Sequence, residues 1–281
     1  MVLDVLAQPA DGPWLWAGYH SRARIGGAID RFVQNWLHAR PEAVALWLGQ
    51  SDGFHRLEDL VAALELLGGH GPRVIAALCH RLPEGSAPLE LSKVVLLPLD
   101  DDAFVHGVVP MLNLPRLEWG AKAPTLFWRG GCSGERARII CRLGAVPCTD
   151  VGFVVGAPDA TLARGWADVT DFQRHKWVLI VDGTVISSAH QWCFAIGSVP
   201  VLITHPSNRH WFTEYLQPYV NFVPLAYDLS DVDEVMDWLQ HHDAECERIA
   251  EAAYLLAEQL FSAESQQAFV ERELRRVVAG P

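Results

Sequence analysis

The stretch from Lys176 to Leu239 constrains this chain most. Trp177-Val178-Leu179-Ile180-Val181 is a short apolar run, followed by Asp182-Gly183 and a small-residue turn from Thr184 to Ser188. An amphipathic run continues to Ile196, and a second apolar run opens at Gly197-Ser198. Strand, turn, helix and strand with no residues left over form a βαβ crossover, which joins parallel strands. Gly183 lets the backbone leave the first strand, and Ser187 or Ser188 can cap the helix. A helix that starts there presents free N–H groups and a positive dipole end, the requirement for holding a phosphate. An ordinary crossover with no ligand has the same pattern, so this stretch alone leaves both readings open.

The same alternation extends along the chain. Apolar runs at Ala43 to Leu48, Val74 to Cys79, Val94 to Leu97 and Leu126 to Arg129 predict strands. Helical spacing recurs over Ile25–Leu37, Leu57–Leu67 and Glu135–Leu143. Val151 to Asp171 shows no clear period. Asn221 to Val223 reads as a short strand. Ser230 is placed to cap a helix whose Val232, Val235, Met236 and Leu239 share a face, and two more helices follow near Ala244–Phe261 and Ser265–Val278. Leu112 to Thr125, with two prolines, is the candidate linker. The expected fold is α/β, with two Rossmann-like domains facing a cleft: residues 1–115, then 116–262. A last helix over 263–281 is expected to pack back on the N-terminal domain.

Composition narrows the function. The formal net charge is −12, which argues against general nucleic-acid binding, since that relies on clustered Lys and Arg. Half of the 281 residues are hydrophobic, so a folded core is expected. No apolar run approaches the ~20 residues of a membrane span, and Met1 to Gly12 does not read as a secretory signal. The six cysteines form no CxxC pair. These features set the expectation of a cytoplasmic protein with reduced thiols, with the inner membrane surface open to it and peripheral membrane contact compatible. Eleven tryptophans are many for this length, and aromatic faces suit sugars and bases.

Three constellations can carry chemistry. Trp128-Arg129-Gly130-Gly131-Cys132-Ser133-Gly134-Glu135-Arg136 leaves a strand and opens a helix. Its glycines permit close backbone approach, and Arg129 and Arg136 can meet phosphate oxygens; arginines in surface ion pairs are the alternative. The Gly183–Ser188 turn (Gly183, Thr184, Val185, Ile186, Ser187, Ser188) is the second, with His190 in the first turn of its helix. Parallel strands would put both turns on one sheet edge. Asp52, at the end of a buried strand beside Gly53, can act as a general base or simply form an Asp-Gly turn. Asp100-Asp101-Asp102 can hold a divalent ion but reads more readily as a solvated loop, and no histidine pair has metal-ligand spacing.

Together these motifs resemble glycosyltransferase family 90, the family of protein O-glucosyltransferases, capsule-associated proteins and bacterial lipopolysaccharide glycosyltransferases. Trp119 and Lys122 before Phe127-Trp128-Arg129-Gly130, then Gly134-Glu135-Arg136, resemble its entry segments. His175-Lys176-Trp177-Val178-Leu179 with Asp182-Gly183, and Gly197-Ser198-Val199, resemble its next two. Trp211-Phe212, Leu216, Pro218, Val223-Pro224, Asp228-Leu229-Ser230-Asp231, Trp238 and Ile249-Ala250 continue the match, which covers about Trp119 to Ala250.

The resemblance implies an inverting transferase of GT-B architecture, with residues 1–115 as the acceptor-side domain and 116–262 as the nucleotide-sugar donor domain. It would move a sugar from a nucleotide-sugar, UDP-sugar favoured, to a hydroxyl of a glycan, glycolipid or lipopolysaccharide acceptor. It assigns Arg136 to the donor nucleotide and the 184–188 turn to the donor cradle, with Arg129, Gly130, Ser133, Lys176, Gly183 and His190 as further donor-side candidates. It makes Asp52 the general base and implies no metal and no separate cofactor. Eukaryotic members carry an arginine where this chain has Ala189, which makes His190 the candidate substitute. Two other readings stay open: a non-catalytic nucleotide- or sugar-binding protein, and a Rossmann-type oxidoreductase, although the chain lacks GxGxxG with its following acid.

Overall fold

The structure is a computed structural model that describes residues 5–6, 15–17, 44–48, 73–77, 94–96, 111–183, 187, 189–204 and 211–279. Asp52, Asp100–Asp102, Thr184, Val185, Ile186, Ser188 and the helices expected over Ile25–Leu37 and Leu57–Leu67 lie outside the described residues. Contacts group the chain into two compact units. One comprises Met1–Val105, Ser207–Glu214 and Ser262–Pro281; the other comprises His106–Pro206 and Tyr215–Phe261.

The first unit holds a five-stranded sheet in the order β1 (Val5–Leu6), β2 (Leu15–Ala17), β3 (Val44–Leu48), β4 (Arg73–Ala77) and β5 (Val94–Leu96). β1 pairs antiparallel with β2, and the other pairings are parallel. The expected strands after Ala43, Val74 and Val94 fall on β3, β4 and β5.

The second unit is a fully parallel five-stranded sheet. Its strands are β6 (Ala123–Gly131), β7 (Thr149–Val155), β8 (His175–Val181), β9 (Val199–Ile203) and β10 (Val223–Pro224), in the order β10-β9-β8-β6-β7. Parallel strands covered on both faces read as continuous apolar runs, and Trp177 to Val181 are all buried. Side chains alternate between faces. Leu126, Trp128, Trp177, Leu179, Val181 and Val201 meet the helices α1 (Arg136–Leu143), α4 (Val232–His241) and α5 (Asp243–Leu260) in one core. Phe127 takes the other face, where α2 (Val169–Phe172) sets Phe172 edge-on to it at 4.8 Å.

Several expectations are corrected. The run after Ser188 is not amphipathic. It is one α-turn, α3 (Ala189–Trp192), continued as a 3-10 turn Cys193–Ile196, and every residue from His190 to Ile196 except half-buried Trp192 is buried. Ser230 does not cap α4; its hydroxyl donates to Asp228 Oδ1, and Asp231 takes the cap position. The segment expected as a linker is stitched to the second unit. Tyr254 donates to Leu112 O, Gln173 Nε2 to Pro115 O, and buried Lys122 Nζ donates to Gln173 O (2.7 Å), Ser198 Oγ (3.1 Å) and Ile196 O (3.4 Å). The final helix, α6 (Ala263–Ala279), lies beside β4 and β5 within the first unit.

Candidate functional site

Counted within the second sheet, the strand order is 2-1-3-4-5, with the connections of β6 and β8 leaving in opposite directions. In open parallel sheets ligands settle outside the carboxyl ends of the strands at such a switch point. Two of the sequence-derived turns converge there. β6 ends at Gly131 and leads through Ser133 to α1; β8 ends at Val181 and leads into Asp182-Gly183.

Arg136 ties the two strand ends together. Its Nη1 donates to Gly131 O at 3.2 Å, and its Nε and Nη2 donate to Val181 O at 3.3 and 3.1 Å. The guanidinium also lies over the Trp128 ring at 5.5 Å. Burial pushes its pKa down and the nearby Asp182 carboxylate pulls it back up. Arg136 forms no ion pair among the described residues, so a fixed positive charge stands at the switch point. Gly183 allows this close approach: a Cβ there would sit 2.5 Å from Ser133 Oγ, which would have to turn aside, and 3.4 Å from Arg136 Cζ.

Asp182 organises the other side. It is 8% exposed, and it accepts from Ser187 N (3.1 Å), from His190 Nε2 (2.7 Å) and from Thr204 Oγ1 (2.8 Å) at the end of β9. Ser187 Oγ accepts from Ala189 N at 3.2 Å, an i→i+2 bond just ahead of α3. His190 is 1% exposed, its ring held inward by Asp182. Beside it, buried Gln191 has neither end of its amide hydrogen-bonded. Because α3 is a single turn, few peptide dipoles add along it; any anion there would be held by individual N–H groups rather than by a macrodipole.

The structure thus brings Ser133, Arg136, Gly183, Ser187 and His190 to one edge, and not Arg129, Gly130 or Lys176. Arg129 points to the opposite sheet face from Trp128, where its Nη2 pairs with Asp150 Oδ1 at 2.7 Å. Lys176 starts β8 at the far edge and pairs with Asp243. Gly130 leaves room for the Trp128 indole, whose Cζ2 would be 2.6 Å from a Cβ. Asp182 and Thr204 belong to the site but were not among the candidates; the signal for Asp182 was a carboxylate directly after a wholly apolar strand. Among the described residues no cluster of His, Cys, Asp and Glu could hold a metal ion, and no helix is long and apolar enough to cross a membrane.

The class the fold defines is a parallel, doubly wound α/β sheet with an arginine at its switch point. The sequence makes the class specific: the profile of glycosyl transferase family 90 matches residues 112–271, and the chain belongs to that family. It is 36% identical over 89 residues to protein O-glucosyltransferase 2 of Danio rerio, covering 31% of this chain and 17% of that one. It is 26% identical over 162 residues to the O-glucosyltransferase LpsA of Dichelobacter nodosus, covering 57% and 49%. The chain therefore spans half or less of these relatives. Among solved structures, Anabaena HepE in complex with UDP-glucose superposes with a TM-score of 0.46 at 14% identity, covering 88% of this chain and 75% of that one.

Proposed function

We propose that this chain is a glycosyltransferase of GT-B type, moving a sugar with inversion from a UDP-sugar to a hydroxyl of a glycan, glycolipid or lipopolysaccharide acceptor. Family membership supports the reaction class, and the name of LpsA is in keeping with a lipopolysaccharide acceptor. The observation that carries the reading is Arg136, a fixed cation at the carboxyl-end switch point of a parallel sheet.

In this reading Arg136 and the backbone amides of the 184–188 turn hold the donor diphosphate. They also stabilise the charge that develops on it as the anomeric C–O bond breaks. Asp52 takes the proton of the acceptor hydroxyl while its oxygen bonds to the anomeric carbon, and nucleoside diphosphate departs. Protein groups do the work that a divalent ion would do elsewhere, so no metal is needed. His190, held by Asp182, stands in for the family arginine in this reading.

A melting-point screen with UDP-, GDP-, CMP- and TDP-sugars tests this, because a ligand that binds only the folded state raises the transition temperature. A shift with UDP-sugars in EDTA, with release of UDP from labelled donor, is the expected result. No shift with any nucleotide-sugar would overturn the proposal.

A further inference from the structure

We propose that the opposite face of the second sheet carries a separate binding site for a neutral sugar ring. The transferase reading is not needed for it, since none of its residues lies at the donor edge. A cleft of about 290 Å³ opens there, lined by Phe127, Arg129, Trp166, Asp171, Arg174 and His175. That is near the lower end of the ~300–1,000 Å³ typical of small-molecule sites.

The cleft has a rigid aromatic floor. Phe127 and His175 stack with centroids 4.1 Å apart and planes within 9°. Thr125 Oγ1 fixes the imidazole at 2.6 Å from Nδ1, and Arg129 Cζ lies 4.5 Å above the Phe127 ring. At the rim stands Trp166, 80% exposed, the most exposed large apolar side chain among the described residues. Trp166 also lines the cleft, so its indole offers a flat apolar face next to polar groups, the combination that suits the C–H face of a sugar ring.

Charge decides what kind of partner. Each arginine is already matched by a carboxylate: Arg129 by Asp150 at 2.7 Å, and Arg174 by Asp171 at 2.9 Å. Burial lowers the pKa of His175, which favours its neutral form. Asp150 Oδ1 also faces Arg164 Nε at 3.8 Å, but both arginines that line the cleft have a carboxylate partner, which sets a polyhydroxyl ligand above a phosphate. The cleft is rich in fixed donors and acceptors. Hydroxyl groups both donate and accept, so a polyhydroxyl ring can use the guanidinium and carboxylate partners together while its C–H face rests on Trp166.

Saturation-transfer NMR with the methyl glycosides of glucose, galactose and mannose, each without nucleotide, tests the assignment. Inorganic phosphate, followed by its own line width, is the anionic arm. At least one glycoside should receive saturation, chiefly on the protons of one ring face. Trp166→Ala, an exposed position that puts little of the fold at risk, should weaken that binding about tenfold, the order of one lost aromatic contact. Its melting temperature and UDP affinity should not change. Arg174→Ala should weaken glycoside binding as well. No transfer to any glycoside, transfer unchanged in Trp166→Ala, or phosphate binding in place of sugar would overturn the proposal. Failure of UDP binding with intact glycoside binding would instead count against the transferase reading alone.

Discussion

Lys122 shows how a single buried charge is carried. Three oxygens accept from its ammonium, yet burial lowers its pKa from the ordinary 10.5 to about 8. The unfolded chain therefore binds more protons than the folded one between those values, and the contribution of this group to stability rises with pH across that window. Relative to Lys122→Met, which has no such titration, the wild-type protein should gain melting temperature from pH 8 to pH 10. A difference that stays flat over that range would mean that the lysine is solvated. Gln191 makes the opposite case, a buried amide with no partner, which costs about 1–3 kcal/mol. Gln191→Met, similar in volume, should raise the melting temperature of the ligand-free protein; a lower one would show that the amide is satisfied. At this scale the sequence was readable in part. Arg136, Ser187 and His190 were nominated and lie together. Arg129 was nominated on spacing along the chain, which ignores strand alternation: one step from core-facing Trp128 turns it to the other face. Lys176 was nominated through a motif, yet it lies at the wrong end of its strand, six residues before the turn.

Among elements, the two strands of the β8–β9 crossover were legible because each carries an unbroken run of five apolar residues, Trp177–Val181 and Val199–Ile203, with a sharp breaker after the first. Residues 149–172 were not, for physical reasons. β7 opens on Thr149-Asp150 and contains Gly152, and the helical turns after it run three and four residues, too short to display a period. The run after Ser188 misled because a segment buried on all sides has no polar face to set its phase. Gly183 links the element to its task. In Gly183→Ala the new Cβ meets Ser133 Oγ, the movable end of a side chain, and crowds Arg136. Stability should fall by no more than about 1 kcal/mol, the scale of a small repacking, while UDP affinity drops severalfold. Unfolding with no selective loss of affinity would make Gly183 a purely structural residue.

For the whole molecule, the proposed function puts the donor edge in the second unit and the base, Asp52, in the first. Asp52→Asn keeps the shape and removes the basicity. It should lower turnover by about 10²-fold or more with UDP affinity intact, since a general base contributes ~10²–10⁴. Near-normal turnover would place the base elsewhere. The central claim, a donor nucleotide held at the β6–β8 switch point, is tested most directly by calorimetric titration of UDP in EDTA. The titration compares wild type, Arg136→Ala and Arg136→Lys. The account predicts binding by the wild type and a loss of about 1.5–3 kcal/mol in Arg136→Ala, the range for a hydrogen bond to a charged group. Arg136→Lys should recover part of that loss, because it keeps the charge without the fork. Equal UDP affinity in a folded Arg136→Ala protein would contradict the account.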